Sequence, residues 1–153
     1  MANTYTKIYI QYVFAVKNRE CLLKSNDEKL QKYISGIIAN RNSKMLAINN
    51  MPDHIHILIS QHPSYSISKM AQEIKNNSSK MMNDEKWFSH KFNWQAGYGA
   101  FSYGRSQTKA VKKYIFDQQA HHKKHTFKDE YLQLLKIFEI DFDKKYIFDF
   151  FEK

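Results

Sequence analysis

The chain has 153 residues with 42% hydrophobic, 25% charged and 15% aromatic content, which suits one domain over 1–153 with one core and excludes a long repeat array, a two-domain enzyme and wholesale disorder. No apolar run nears the ~20 residues of a membrane helix, the start MANTYTKIYI lacks signal-peptide order, and the single Cys21 allows neither an internal disulfide nor a Cys-rich zinc site; a soluble protein of a reducing cytoplasm is expected. The net charge of +9 is uneven, because residues 129–153 hold four Lys against seven acids; the basic body points to a polyanionic partner, nucleic acid first.

Thr6–Val16 (TKIYIQYVFAV) is dense in β-branched and aromatic residues and predicts a strand buried on both faces. In SNDEKLQKYISGIIANRN, Ser25 and Glu28 form a capping-box pattern, and Leu30, Tyr33, Ile34, Ile37 and Ile38 recur at helical spacing. A helix over Asn26–Asn40 follows. Lys44–Ile48 is a short strand, Asn49 to Asp53 supply turn chemistry, and His54–Ser60 (HIHILIS) is the next strand. A second helix runs from Ser68 to Asp84, and NWQAGYGAFSYG reads as a last strand in which Gly97, Gly99 and Gly104 permit bulges or tight turns. A third helix spans Thr108–Lys123, and the tail 127–153 adds a short helix and an aromatic end.

The order β-α-β-β-α-β-α favours an α+β, ferredoxin-like or RRM-like sandwich: one antiparallel sheet, helices on one face, and a C-terminal helix added. The core would span about 5–103 and the last helix and tail about 106–153. HIHILIS becomes a central strand. Alternation then sends Ile55, Ile57 and Ile59 under the helices and His54, His56 and Leu58 to the open face.

Two imidazoles on one face of a strand can reach a single divalent ion, although His-x-His alone is a weak pattern. A third group is needed. The segment SQTKAVKKYIFDQQAHHKK offers Tyr114 and Gln118, one helical turn apart, flanked by Val111 and Ile115 as docking residues. Gln118 can give an amide oxygen to the ion while Tyr114 stands beside it. A metal next to a phosphodiester offsets the charge that grows in its transition state. A tyrosine oxygen then makes a covalent phosphoryl intermediate, which keeps the bond energy for rejoining. Tyr98 and Tyr103 are rival nucleophiles, but neither shares a helical face with a ligand at i+4.

MPDHIHILI, preceded by YTKIYIQYVFAVKNR and followed in order by KNNSSKMMN, WQAGYGAFSYG and KKYIFDQQAHHKK, resembles the His-hydrophobic-His single-tyrosine transposases of the insertion-sequence-200-like family. The resemblance covers nearly the whole chain. It implies His54 and His56 as metal ligands, Gln118 as the third ligand and Tyr114 as the nucleophile. It further implies cleavage of single-stranded DNA beside hairpins at transposon ends through a 5′-phosphotyrosine bond, and a homodimer whose composite sites pair His of one subunit with Tyr of the other. Imidazole ligands by themselves favour zinc or another transition ion, whereas the resemblance implies Mg²⁺ or Mn²⁺; Mn²⁺ suits a mixed N/O set better. Lys75, Ser78, Ser79, Lys80, Arg105, Lys109, Lys112 and Lys113 are candidate DNA contacts. Two other readings stay open: an RRM-like single-strand binder without catalysis, and a host-adopted relative that nicks genomic repeats.

Overall fold

A computed structural model describes residues 3–142; the expected aromatic end of the tail lies outside the described residues. Four strands, β1 (Tyr9–Ala15), β2 (Lys44–Met51), β3 (His54–Ser60) and β4 (Gly99–Tyr103), form an antiparallel sheet in the order β2-β3-β1-β4. Helices α1 (Glu28–Ala39) and α2 (Ile67–Asp84) complete the expected βαββαβ order. Both pack on the face bearing Tyr12, Phe14, Ile55, Ile57 and Ile59, where Leu30, Ile34, Ile38, Met70, Ile74 and Met82 interlock. Each fully buried Ile there contributes about 1.5–3 kcal/mol relative to exposure.

The other face is not open. Helices α3 (Thr108–Phe116), α4 (Gln118–His121) and α5 (Phe127–Ile137) follow β4. Val111 and Ile115 pack on Ala47 and Leu58, while Phe127, Tyr131 and Leu135 pack on Val13, Ala15 and Phe101. Helices on both faces explain why β1 is buried from Ile10 to Ala15 without alternation.

Several boundaries differ from expectation, each for a tertiary reason. Helix α1 is capped by Asp27, whose carboxylate accepts from Leu30 N at 3.1 Å. Ser25 instead faces Met51 and Gln119 across the loop. Strand β2 runs on through Asn49 and Asn50, because their amides brace other segments rather than a turn. Asn50 accepts from Asp27 N at 2.9 Å and donates to Lys24 O at 2.8 Å. The last strand is shorter than NWQAGYGAFSYG. Lys75 Nζ takes the carbonyls of Gln95 (2.7 Å) and Gly97 (2.9 Å), and Gly97 turns at φ 81°, so only a Trp94–Val16 bridge precedes β4.

The third helix breaks at Asp117. Asn49 Nδ2 donates to the carbonyls of Ile115 (3.0 Å) and Phe116 (3.3 Å), drawing the helix end onto β2, and it pairs with the Gln119 amide just beyond the break. Gly99 allows the close approach of β4 and α5: an added Cβ would lie 2.9 Å from the rings of both Phe101 and Tyr131. Gly99→Ala is therefore expected to cost about 1–3 kcal/mol through overpacking, read as a fall in the urea midpoint at unchanged m-value.

Candidate active site

Strand β3 places His54 and His56 on the face covered by α3–α5, opposite Ala15 and Val13 of β1 and Met51 and Asn49 of β2. Both imidazoles are sealed, at 1% and 0% exposure. His54 is held from two sides. Its Nδ1 donates to Asp53 Oδ1 at 2.7 Å, and its ring stacks flat on Phe127 of α5, 3.8 Å between centroids. Asp53 is fixed in turn by Arg19 Nε at 3.0 Å. His56 Nδ1 bonds Gln11 Oε1 at 2.8 Å, and Gln11 donates to Tyr103 OH at 2.7 Å.

Gln118, at the start of α4, is fully buried rather than solvated. Its Oε1 lies 3.3 Å from His54 Nε2 and 3.0 Å from His122 Nε2. Tyr114, one turn earlier, sets its ring 6.1 Å from that of His56 and 4.6 Å from that of His121. These four residues meet within one chain, and a fifth joins them. Glu130 of α5 puts Oε1 2.6 Å from His56 Nε2 and 3.7 Å from His54 Nε2. Its Oε2 accepts from the Tyr114 hydroxyl and from Gln118 Nε2 (3.1 Å), and stands 3.4 Å from His122 Nε2.

Sequence reasoning missed Glu130, His122 and Asp53. A signal for Glu130 exists: it is the one acid among Phe127, Glu130, Tyr131 and Leu135, the buried stripe of α5. Why an acid sits in that stripe becomes apparent only when α5 lies over the His pair.

The electrostatics suit a cation. Burial, the largest influence, holds His54 below its ordinary imidazole pKa despite the pull of Asp53, so the ring is neutral with its proton on Nδ1. Nε2 then turns a lone pair toward two oxygens, Gln118 Oε1 and Glu130 Oε1. Lone pairs converging on one point in a buried pocket are what a metal site offers. His54, His122 and Glu130 bring ligand atoms within 4.8 Å of one another. Burial tends to raise Glu130, but His56 and His122 outweigh it and hold the carboxylate well below its usual range. Burial and the Glu130 charge push the Tyr114 phenol up, so it stays protonated.

The model of the family described as "Transposase IS200 like" matches residues 4–118. The chain belongs to the IS200-like transposase family. No curated protein sequence matches it. Among solved structures, a Deinococcus radiodurans R1 chain provisionally assigned as a transposase superposes with a TM-score of 0.59 at 20% identity, covering 77% of this chain and 95% of that one. A REP-associated tyrosine transposase bound to a REP hairpin also gives 0.59, at 17% identity, with 80% and 73% covered. These likenesses support the fold. The family match ends at Gln118, so His122 and Glu130 lie beyond it.

The candidate DNA contacts of this IS200-like chain divide by face. Arg105, Lys109 and Lys113 are exposed and Lys112 is half-buried, all leading into or on α3 beside Tyr114. Those on α2 lie across the sheet, so the eight do not form one track. Ser78 is buried, donates to Ile74 O at 2.6 Å and accepts from Trp94 Nε1 at 2.9 Å, which leaves it nothing for a phosphate. Lys75 is committed to the Gln95–Gly97 loop and sits 5.8 Å from the Phe14 ring. Ser79 bonds Asn76 O, and Lys80 pairs with Asp84. Of the rival tyrosines, Tyr98 packs on Tyr12 and Phe14 across the sheet, and Tyr103, pushed up to about 12 by burial, is held by Gln11.

A pH dependence follows. His54, Asp53 and Glu130 all have folded pKa values below their ordinary ones, so at each the folded state binds fewer protons than the unfolded chain. The His54 contribution is complete above about pH 6.5 and is lost as pH falls through its folded pKa; those of the acids are lost below about pH 4. The thermal midpoint of metal-free protein is expected to fall continuously from pH 7 to 4. His54→Asn should flatten the upper part of that decline, and a midpoint that rises on acidification would contradict it.

Proposed function

We propose that this IS200-like chain cuts and rejoins single-stranded DNA next to a hairpin, using Tyr114 as the nucleophile. The observation that carries the reading is the convergence of the Tyr114 hydroxyl, the Gln118 amide and both imidazoles on one buried carboxylate. The hairpin is taken from the structural neighbour bound to a REP hairpin. No described helix is long and apolar enough to cross a membrane, in keeping with a DNA-handling role in the cytoplasm.

In the proposed step the Tyr114 oxygen attacks phosphorus, the P–O3′ bond breaks, and the proton lost by the phenol passes by way of water to the departing 3′ oxygen. The phosphate stays on Tyr114 through its 5′ side. Glu130 accepts the hydrogen bond of the phenol and so holds the Tyr114 oxygen in the site. Reversal with a new 3′ hydroxyl rejoins the strand without outside energy. His54 and His56 Nε2, Gln118 Oε1 and a Glu130 oxygen would hold a divalent cation, with His122 adjoining. That cation supplies positive charge to the phosphate oxygens. An N/O set of this kind suits Mn²⁺ better than Mg²⁺. Asp53 and Gln11 orient the two rings from behind.

An RRM-like binder needs an open sheet face for stacking bases. Here that face lies under α3–α5, which favours the nuclease reading. The test uses labelled single strands from the DNA flanking the coding sequence, incubated with Mn²⁺. A protein–DNA adduct that survives denaturation is expected, and binding without an adduct under any divalent ion would overturn the reading.

A further inference from the structure

Between α3 and α5 lies a hollow of about 580 Å³ that opens beside Tyr114 and Glu130 and extends beyond them along α5. Its inner end is Tyr114 and Glu130, its floor Tyr103, and its walls Val111 on one side and Leu134 and Ile137 on the other. The lining is mainly apolar, as in sites that take flat organic rings. Ile137 is 62% exposed, a large aliphatic side chain with little of its own fold to cover it. Asp129 and Gln133 of α5 also line the hollow, as do Gln11 of β1, His121 and His125. Outside it, Lys109 and Lys113 flank Ala110 and Tyr114 along α3 and are exposed.

We infer that this hollow receives one nucleobase of the cut strand, next to the scissile phosphate, and that Asp129 and Gln133 read its edge. The inference rests on the proposed function, since it is the phosphate at Tyr114 that brings a base within reach. The division of chemistry is the second reason. The scissile phosphate reaches Tyr114, while the exposed Lys109 and Lys113 attract the neighbouring backbone phosphates on the outer side of α3, so the base beside the scissile phosphate turns into the apolar part of the hollow. Apolar walls and the Tyr103 ring suit a heterocycle. A carboxylate accepts from an exocyclic amine, and an amide can donate and accept beside it. Adenine, cytosine and guanine carry such an amine and thymine does not, so thymine is the disfavoured base at this position.

The test scans single strands from the DNA flanking the coding sequence, with one abasic site at a time, by fluorescence anisotropy with full-length protein. One position beside the cleavage point should bind about tenfold more weakly when abasic. Ala110→Trp, at an exposed position on the lining, should fill the hollow, weaken the intact strand by a similar factor and abolish the abasic effect. Gln133→Leu, also at an exposed position, should narrow the preference against thymine, and Asp129→Asn should reorder the remaining bases. Intact strands that bind equally well with every abasic position would overturn the pocket while leaving cleavage standing. An abasic-sensitive position without any adduct would keep the pocket and overturn the cleavage reading. Failure of every strand to bind the folded protein would end both.

Discussion

Tyr114→Phe is expected to eliminate the denaturation-resistant adduct, a loss of at least about 10³-fold, while DNA binding persists. The substitution removes only the attacking oxygen and leaves the ring between His56 and His121. It also deletes the bond to Glu130, so stability should fall by no more than about 0.5–1.5 kcal/mol. An adduct of normal yield would pass the nucleophile role to another residue, Tyr103 being the nearest rival through Gln11 and His56. Mixing Tyr114→Phe with His56→Ala should restore nothing, because Tyr114 and His56 face each other within a single chain. Recovered cleavage in the mixture would mean that two copies exchange the α3 segment and build shared sites.

Glu130→Ala should destabilise the metal-free fold by about 3 kcal/mol, read by urea unfolding. It strips the acceptor from Tyr114 and Gln118 and the partner from His56, all in a sealed pocket. Because α5 owes part of its docking to this carboxylate, hydrogen exchange in 127–137 should rise more than in β3. The same variant should weaken Mn²⁺ binding at least about tenfold, seen as a smaller rise in thermal midpoint at a fixed Mn²⁺ concentration. Glu130→Gln keeps the volume and separates the two effects: much of the stability returns, the metal response does not. Tighter Mn²⁺ binding by either variant would recast Glu130 as an obstruction rather than a ligand.

Much of the fold was legible from local chemistry. Strand alternation is a two-residue rule, so HIHILIS by itself separates Ile55, Ile57 and Ile59 from His54, His56 and Leu58. Helical periodicity is equally local, and with the order of elements it specified the ferredoxin-like sheet. The single-chain spacing of Tyr114 and Gln118 was visible for the same reason. Where the reading erred, distant partners had taken over local groups. Lys75 draws the Gln95 and Gly97 carbonyls out of the strand, Asn49 draws on the carbonyls that end α3, and Trp94 claims the Ser78 hydroxyl offered to DNA.

Composition and pattern by themselves determined a basic chain with a βαββαβ core, a paired-imidazole strand and a tyrosine helix. Only the tertiary structure decided that the imidazole face is closed, that Asp53 and Gln11 aim its rings, and that Glu130 stands at its centre. The reason is physical. A carboxylate in an apolar helical stripe costs free energy unless cationic or donor groups meet it, and those groups lie 74, 16 and 12 residues away, in His56, Tyr114 and Gln118. No pattern along the chain encodes that meeting; it arises when α5 folds back across the sheet.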